Sequence, residues 1–205
     1  MAQWDTGTVV GGRYALERLV GEGATARTWA AIDAATGRRV TLKIARSRER
    51  GAGLGEEMAL LAGLYHPNLV RPLELFEEAR RVVLACAWIP GATLGAAEVD
   101  VVAAARDVAS ALAFLHAVGV VHGDVKPDNV IVDAGTATLI DLGAARLGAG
   151  DARAFTPAHA APETRERGEV TAASDVYGLA SSFVGRGDAE LDALLAPALS
   201  VRPKD

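Results

Sequence analysis

Cysteine occurs once in the 205 residues, at Cys86, which excludes a disulfide framework and a cysteine-based metal cluster within the chain. Such usage suits a reducing compartment. The opening Met-Ala-Gln-Trp-Asp lacks the basic start and apolar core of a secretory leader, so a cytoplasmic location is expected. Lysine is nearly absent and occurs only at Lys43, Lys126 and Lys204. With a net charge of −5 and no basic block, the chain is not expected to take nucleic acid or an anionic membrane as its main partner. Long apolar runs are missing as well. The stretches 82–97 and 108–123 carry no acidic or basic side chain, but Pro90, Gly91 and Gly95 break the first. The second contains histidines and ends at Gly123. Both are too short to cross a bilayer and read as buried core. What is present is enough to fold: half the residues are apolar and 23% are charged. One globular unit or two small lobes fit this length.

The first part reads as short strands over 13–20, 27–33 and 39–45, with turns at Gly21-Glu-Gly23 and Ala35-Thr-Gly37. In the third strand Val40, Leu42 and Ile44 share one face, which directs Lys43 away from the apolar side. Residues 54–64 suit a helix, with Met58, Leu61 and Leu64 at helical spacing, although Gly51, Gly53 and Gly55 weaken its start. Strands are expected at 69–76 and 81–86. The run Trp88-Ile-Pro-Gly91 reads as a linker. A helix follows, capped by Asp100 and closed near Gly119, with Val101, Ala105, Val108, Leu112 and Leu115 as its apolar stripe. Short strands at 130–132 and 137–140, a loop over 142–163 and helices at 174–184 and 188–199 complete the expectation. No internal repeat is visible.

Three constellations carry chemistry. Gly21-Glu22-Gly23-Ala24-Thr25-Ala26, between two strands, would let backbone amides approach phosphate oxygens, although a glycine-rich hairpin turn alone accounts for such a run more often. Lys43 sits in a strand that follows this turn. Val121-His-Gly-Asp-Val-Lys-Pro-Asp-Asn129 precedes Ile140-Asp-Leu-Gly143, and the two are separated by a plausible hairpin. Two carboxylates, an amide and a lysine in this order are what phosphoryl transfer from ATP needs.

These motifs resemble those of the eukaryotic-like (Hanks-type) protein kinases, most closely the bacterial serine/threonine kinases. The resemblance runs in order from Arg13 through nearly the whole chain. It implies an α+β, two-lobed fold: an N-terminal extension over 1–12 and an N-lobe over 13–86 with an antiparallel sheet and one helix. A hinge over 87–91 would lead into a mainly helical, shortened C-lobe over 92–205. It implies ATP and Mg2+, with Val20, Gly21, Glu22, Gly23, Ala24, Thr25 and Ala26 over the phosphates. Thr28 and Thr41 would roof the adenine, Ile131 would floor it, Cys86 would be the gatekeeper, and Ala87 and Ile89 would belong to the hinge. Lys43 would contact phosphates and pair with a helix glutamate, Glu57, with Glu56 as competitor. By the same resemblance Asp124 orients the acceptor hydroxyl and Lys126 steadies the moving group. Asn129 and Asp141 would hold magnesium. Thr156 belongs to the substrate segment, Asp175 anchors the catalytic loop, and Glu163 pairs with Arg202.

The departures also carry expectations. Gly123 stands where regulated members have an arginine that binds a phosphate on the activation loop. Between Gly143 and Phe155 there is no Ser, Thr or Tyr to carry one. Control by phosphorylation within 144–155 is therefore not expected. Thr28 and Thr41 replace an apolar roof and weaken it, unless each methyl faces the base and each hydroxyl bonds backbone. Ala26 replaces a third glycine. Arg202 follows closely on Asp175, so the C-lobe reads as trimmed, either naturally compact or covered by a partner protein. The implied activity is transfer of the ATP γ-phosphoryl group to Ser/Thr hydroxyls of a protein substrate. An ATP-binding scaffold with little activity, or a small-molecule kinase, are the alternatives.

Overall fold

The structure is a computed structural model that describes residues 4–200. It divides into two compact units: one contains the residues up to Leu64 together with Arg71–Trp88, the other Tyr65–Val70 and the chain from Ile89 onward.

The first unit is a six-stranded antiparallel sheet with one helix. Its strands are β1 (Val9–Val10), β2 (Tyr14–Glu22), β3 (Ala26–Asp33), β4 (Arg39–Ala45), β5 (Pro72–Glu78) and β6 (Arg81–Ala87), in the order β1-β2-β3-β4-β6-β5. Period-2 patterning decides which face is covered. Val40, Leu42 and Ile44 of β4 are buried, whereas Thr41 and Lys43 are half-buried. The buried set joins Tyr14, Leu16, Trp29 and Val83 in one core, and Trp4 and Val10 belong to the same core. Trp4 and Val10, from the stretch read in the sequence as an N-terminal extension, thus pack into this core.

The helix α1 (Ala52–Leu61) follows a short 3-10 turn at Glu49–Gly51. It buries Leu54, Glu57 and Leu61, positions one and two helical turns apart. Gly51 is needed for a close approach: a Cβ there would meet Val82 Cγ2 at 2.4 Å. Gly53 and Gly55 have nothing within reach of an added Cβ.

In the second unit, β7 (Ala92–Thr93) leads to α2 (Val101–Ala117). Asp100 caps α2 by accepting the Ala103 N–H at 2.9 Å, and Val108, Leu112 and Leu115 lie on its buried stripe. Next come β8 (Val120–Val121), a 3-10 turn at Pro127–Asn129, β9 (Val130–Asp133) and β10 (Thr136–Leu139). The sheet order is β10-β9-β7. The expected loop over 142–163 contains two further short strands, β11 (Arg146–Leu147) and β12 (Gly150–Asp151), and its last residues open α3 (Pro162–Arg167). β11 pairs with β8, and β12 pairs with β13 (Glu169–Val170). Two-residue strands have no periodicity to read, which is why the sequence shows only a loop there. The unit ends with α4 (Ala172–Phe183), which opens on a Thr171/Ser174 capping box, and α5 (Ala189–Ser200).

The strand expected at 69–76 begins only at Pro72. Leu69 instead bridges Leu139, and Asn68 Nδ2 donates to the Ala137 carbonyl at 2.9 Å, which ties this segment to β10 in the second unit. Among the described residues no helix is long and apolar enough to cross a membrane.

Candidate active site

In the first unit, the antiparallel β2–β3 pair carries the glycine-rich turn. Val20, Gly21 and Glu22 end β2, Gly23, Ala24 and Thr25 form the turn, and Ala26 opens β3 opposite Ala45 of β4. Neither Gly21 nor Gly23 has positive φ, and an added Cβ would come no closer than 3.4 Å to its surroundings. The turn itself therefore does not require glycine. What the missing side chains leave is open space beside the backbone amides. The tip is fastened from β4 and the 3-10 turn: Arg46 Nε donates to the Gly23 carbonyl at 2.7 Å, and Arg50 Nη1 to the Ala24 carbonyl. The sequence held no periodic signal for this pair of arginines.

Lys43 lies on β4 between Thr28 of β3 and Leu84 of β6. Its ammonium is 2.5 Å from Glu57 Oε1 on α1. The lysine side chain is 12% exposed and the glutamate side chain 1%. Glu57, and not the exposed Glu56, therefore faces Lys43. Thr28 and Thr41 are half-buried, and Cys86 is buried on β6 opposite Thr41, beside Ala87.

In the second unit, the β9–β10 hairpin positions two of the predicted residues. Val130 pairs with Leu139, and the Ile140 N–H donates to the Asn129 carbonyl at 2.8 Å. Asn129 immediately precedes one strand and Asp141 follows the other by two residues, so both lie at the same end of the hairpin. Ile131 is half-buried on β9. Asn129 Nδ2 donates to the Asp124 carbonyl at 2.8 Å, which leaves its amide oxygen as an acceptor. Asp141 has φ +64, in the left-handed region that aspartate enters more readily than most non-glycine residues, and its Oδ1 accepts the Gly143 N–H at 3.0 Å.

Asp124 is at the centre of a small network. Its Oδ2 lies 2.6 Å from Lys126 Nζ, and its Oδ1 accepts the Thr156 N–H at 3.0 Å. Lys126 Nζ also donates to Thr156 Oγ1 at 2.7 Å. One ammonium thus joins the carboxylate to a hydroxyl from a segment some thirty positions onward. Burial lowers the pKa of the nearby His159, opposed by the charges of Asp128 and Asp124, and its Nδ1 lies 3.1 Å from Ser181 Oγ.

Asp175, on α4 and 1% exposed, fixes the backbone that leads into Asp124. It accepts the N–H groups of His122 and Gly123, each at 2.8 Å. His116 Nε2, from the last turn of α2, lies 2.8 Å from the same carboxylate. His116 was missed in the sequence because only the apolar stripe of α2 carries a signal. Gly123 has φ +82, and a Cβ there would meet the Ala144 carbonyl oxygen at 2.9 Å. Glu163 is buried on α3, and its Oε2 has no hydrogen-bond partner among the described residues. Arg202, assigned to it by resemblance, lies outside the described residues.

A family model described as the protein kinase domain matches residues 14–185. This chain belongs to the protein kinase family. The kinase domain is 34% identical to the DNA damage-responsive serine/threonine-protein kinase RqkA of Deinococcus radiodurans, over 84% of this chain and 29% of that protein. It is also 34% identical to the serine/threonine-protein kinase PkaA of Streptomyces coelicolor, over 82% of this chain and 37% of that protein. The chain therefore spans about a third of the length of these relatives. The crystal structure of the PF14_0431 kinase domain shares the fold, with a TM-score of 0.76 at 18% identity over 91% of this chain and 70% of that one.

Proposed function

We propose that this kinase domain transfers the γ-phosphoryl group of ATP to serine or threonine hydroxyls of a protein substrate. The observation that carries the reading is the bridge from Asp124 through Lys126 to Thr156. It puts a carboxylate acceptor, a cation and a substrate-segment hydroxyl within hydrogen-bond reach of one another. In the transfer, the acceptor oxygen forms a bond to phosphorus as the bond to the ADP oxygen breaks, and Asp124 takes the hydroxyl proton. Lys126 offsets negative charge on the moving group. Lys43, held by Glu57, meets phosphate oxygens, and the glycine-rich turn, with open space where side chains are missing, covers them.

The donors suit magnesium. Asn129 and Asp141 offer one amide oxygen and one carboxylate at the same end of the hairpin. Among the described residues no three His, Cys, Asp or Glu side chains converge as a cage, and phosphate oxygens and water would complete the set. Bound there, magnesium supplies neutralisation of phosphate charge.

The test is incubation with labelled ATP and a mixture of serine- and threonine-containing proteins, with Mg2+ or with EDTA. Phosphoserine or phosphothreonine that disappears with EDTA is the expected result. Label on small acceptors alone, or nucleotide binding without transfer, would contradict the reading and favour a small-molecule kinase or a scaffold respectively.

A further inference from the structure

The first unit holds a recess of about 410 Å³, within the size range of ligand-binding clefts. Its walls come from the start of β2, the β3–β4 turn, the start of β5 and the end of β6. It contains neither Lys43 nor Glu57 nor any residue of the glycine-rich turn. Of the positions assigned to nucleotide, only Ala87 also lines it.

Four arginines line this recess, Arg13, Arg38, Arg39 and Arg71, against two acids, Asp33 and Glu74. Both acids are already engaged. Arg13 Nε and Nη2 donate to the two Asp33 oxygens at 2.6 and 2.8 Å, and Arg13 Nη1 to Glu74 Oε2 at 3.0 Å. The Tyr14 hydroxyl donates to that same Glu74 oxygen at 2.7 Å. Arg39 is held by Glu17 through two contacts, at 2.6 and 3.1 Å. Arg38 and Arg71 have no side-chain hydrogen bond or ion pair among the described residues. With Glu17 counted, four guanidinium groups face three carboxylates, so on a chain of net charge −5 the recess is net positive, and Arg38 and Arg71 are the two outside its ion pairs.

The remaining surface narrows the class of ligand. Val40, Leu73 and Ala87 give it an apolar part. Trp88 is not free as a stacking platform for a base, because the Arg18 and Arg39 guanidinium groups lie 5.6 and 5.7 Å from its ring centroid. The unmatched arginines sit on different strand ends, one before β4 and one before β5, which suits charges spaced along a chain more than one compact anion. We propose that this recess docks an acidic peptide segment of a partner protein, with an apolar side chain between carboxylates. The inference does not depend on the phosphoryl-transfer reading, since it concerns binding alone.

The test uses a fluorescein-labelled pentapeptide of aspartates and glutamates with a central leucine, titrated with the protein and followed by anisotropy. The expected result is saturable binding that weakens tenfold or more in the double variant Arg38→Glu/Arg71→Glu. The neutral pair Arg38→Gln/Arg71→Gln, which removes the charge but keeps a polar side chain, should weaken it several-fold with an unchanged melting temperature. The charge-matched control Arg106→Glu/Arg165→Glu and saturating Mg-ATP should each leave it within twofold. No binding to the unaltered protein, equal loss in both double Glu variants, or displacement by Mg-ATP or inorganic phosphate would overturn the proposal. So would charge-sensitive dimerisation without peptide binding, which would identify the occupant as a second copy of the chain.

Discussion

At Gly123 the backbone itself leaves little place for a side chain. Its backbone has φ +82, and its missing Cβ would stand 2.9 Å from the Ala144 carbonyl oxygen. Replacement by alanine must both strain the backbone and push that carbonyl away. We expect Gly123→Ala to destabilise the domain by about 1–3 kcal/mol, measured by urea unfolding. A cost below 0.5 kcal/mol would show that the position tolerates a side chain. The sequence could not show the positive φ or the nearness of the Ala144 carbonyl at this position. His116 illustrates the opposite case. It braces Asp175, and through it the loop carrying Asp124, yet nothing in its helix distinguishes it from any other half-buried histidine.

At the scale of elements, α1 is the weak point of the first unit. It carries Glu57, the partner of Lys43, but two of its ten residues are glycines with open space around the missing Cβ. Each lowers helix stability by about 1 kcal/mol relative to alanine. The double variant Gly53→Ala/Gly55→Ala should therefore gain about 1–2 kcal/mol in chemical denaturation and keep its nucleotide affinity. An unchanged midpoint would mean that tertiary packing, not propensity, sets the stability of α1. Gly51 must not be included, since Val82 occupies the space a side chain would need. Longer elements were legible because their periods were clear: β4 by alternation, α2 by its stripe and by Asp100 as a cap. The β11 and β12 strands were not, because a two-residue strand is defined by its partner and not by its own sequence. The segment holding Leu69 and Val70 misled for a related reason. Its apolar residues extend the pattern of β5, yet they are buried against β10.

For the whole molecule, each unit has a distinct share of the polar set. The first supplies Lys43, Glu57 and the glycine-rich turn, and the second supplies Asp124, Lys126, Asn129, Asp141 and Thr156. The two motifs in the second unit made the family legible in the sequence, because chemistry restricts those residue types more tightly than packing restricts a core. No hydroxyl-bearing residue lies between Gly143 and Phe155, and Gly123 offers no cation to receive a phosphate there. Accordingly, protein treated with phosphatase should retain its rate of transfer within a factor of two. A large loss that is restored by rephosphorylation of the protein would contradict this.

The most direct measurement is single-turnover transfer from Mg-ATP to a serine-containing protein by Asp124→Asn beside the unaltered chain, with nucleotide affinity recorded on both. Asparagine keeps the shape of the side chain but cannot take the hydroxyl proton. The account predicts a fall in transfer of about 10²-fold or more with nucleotide affinity within a few-fold. Transfer unchanged in Asp124→Asn would contradict it.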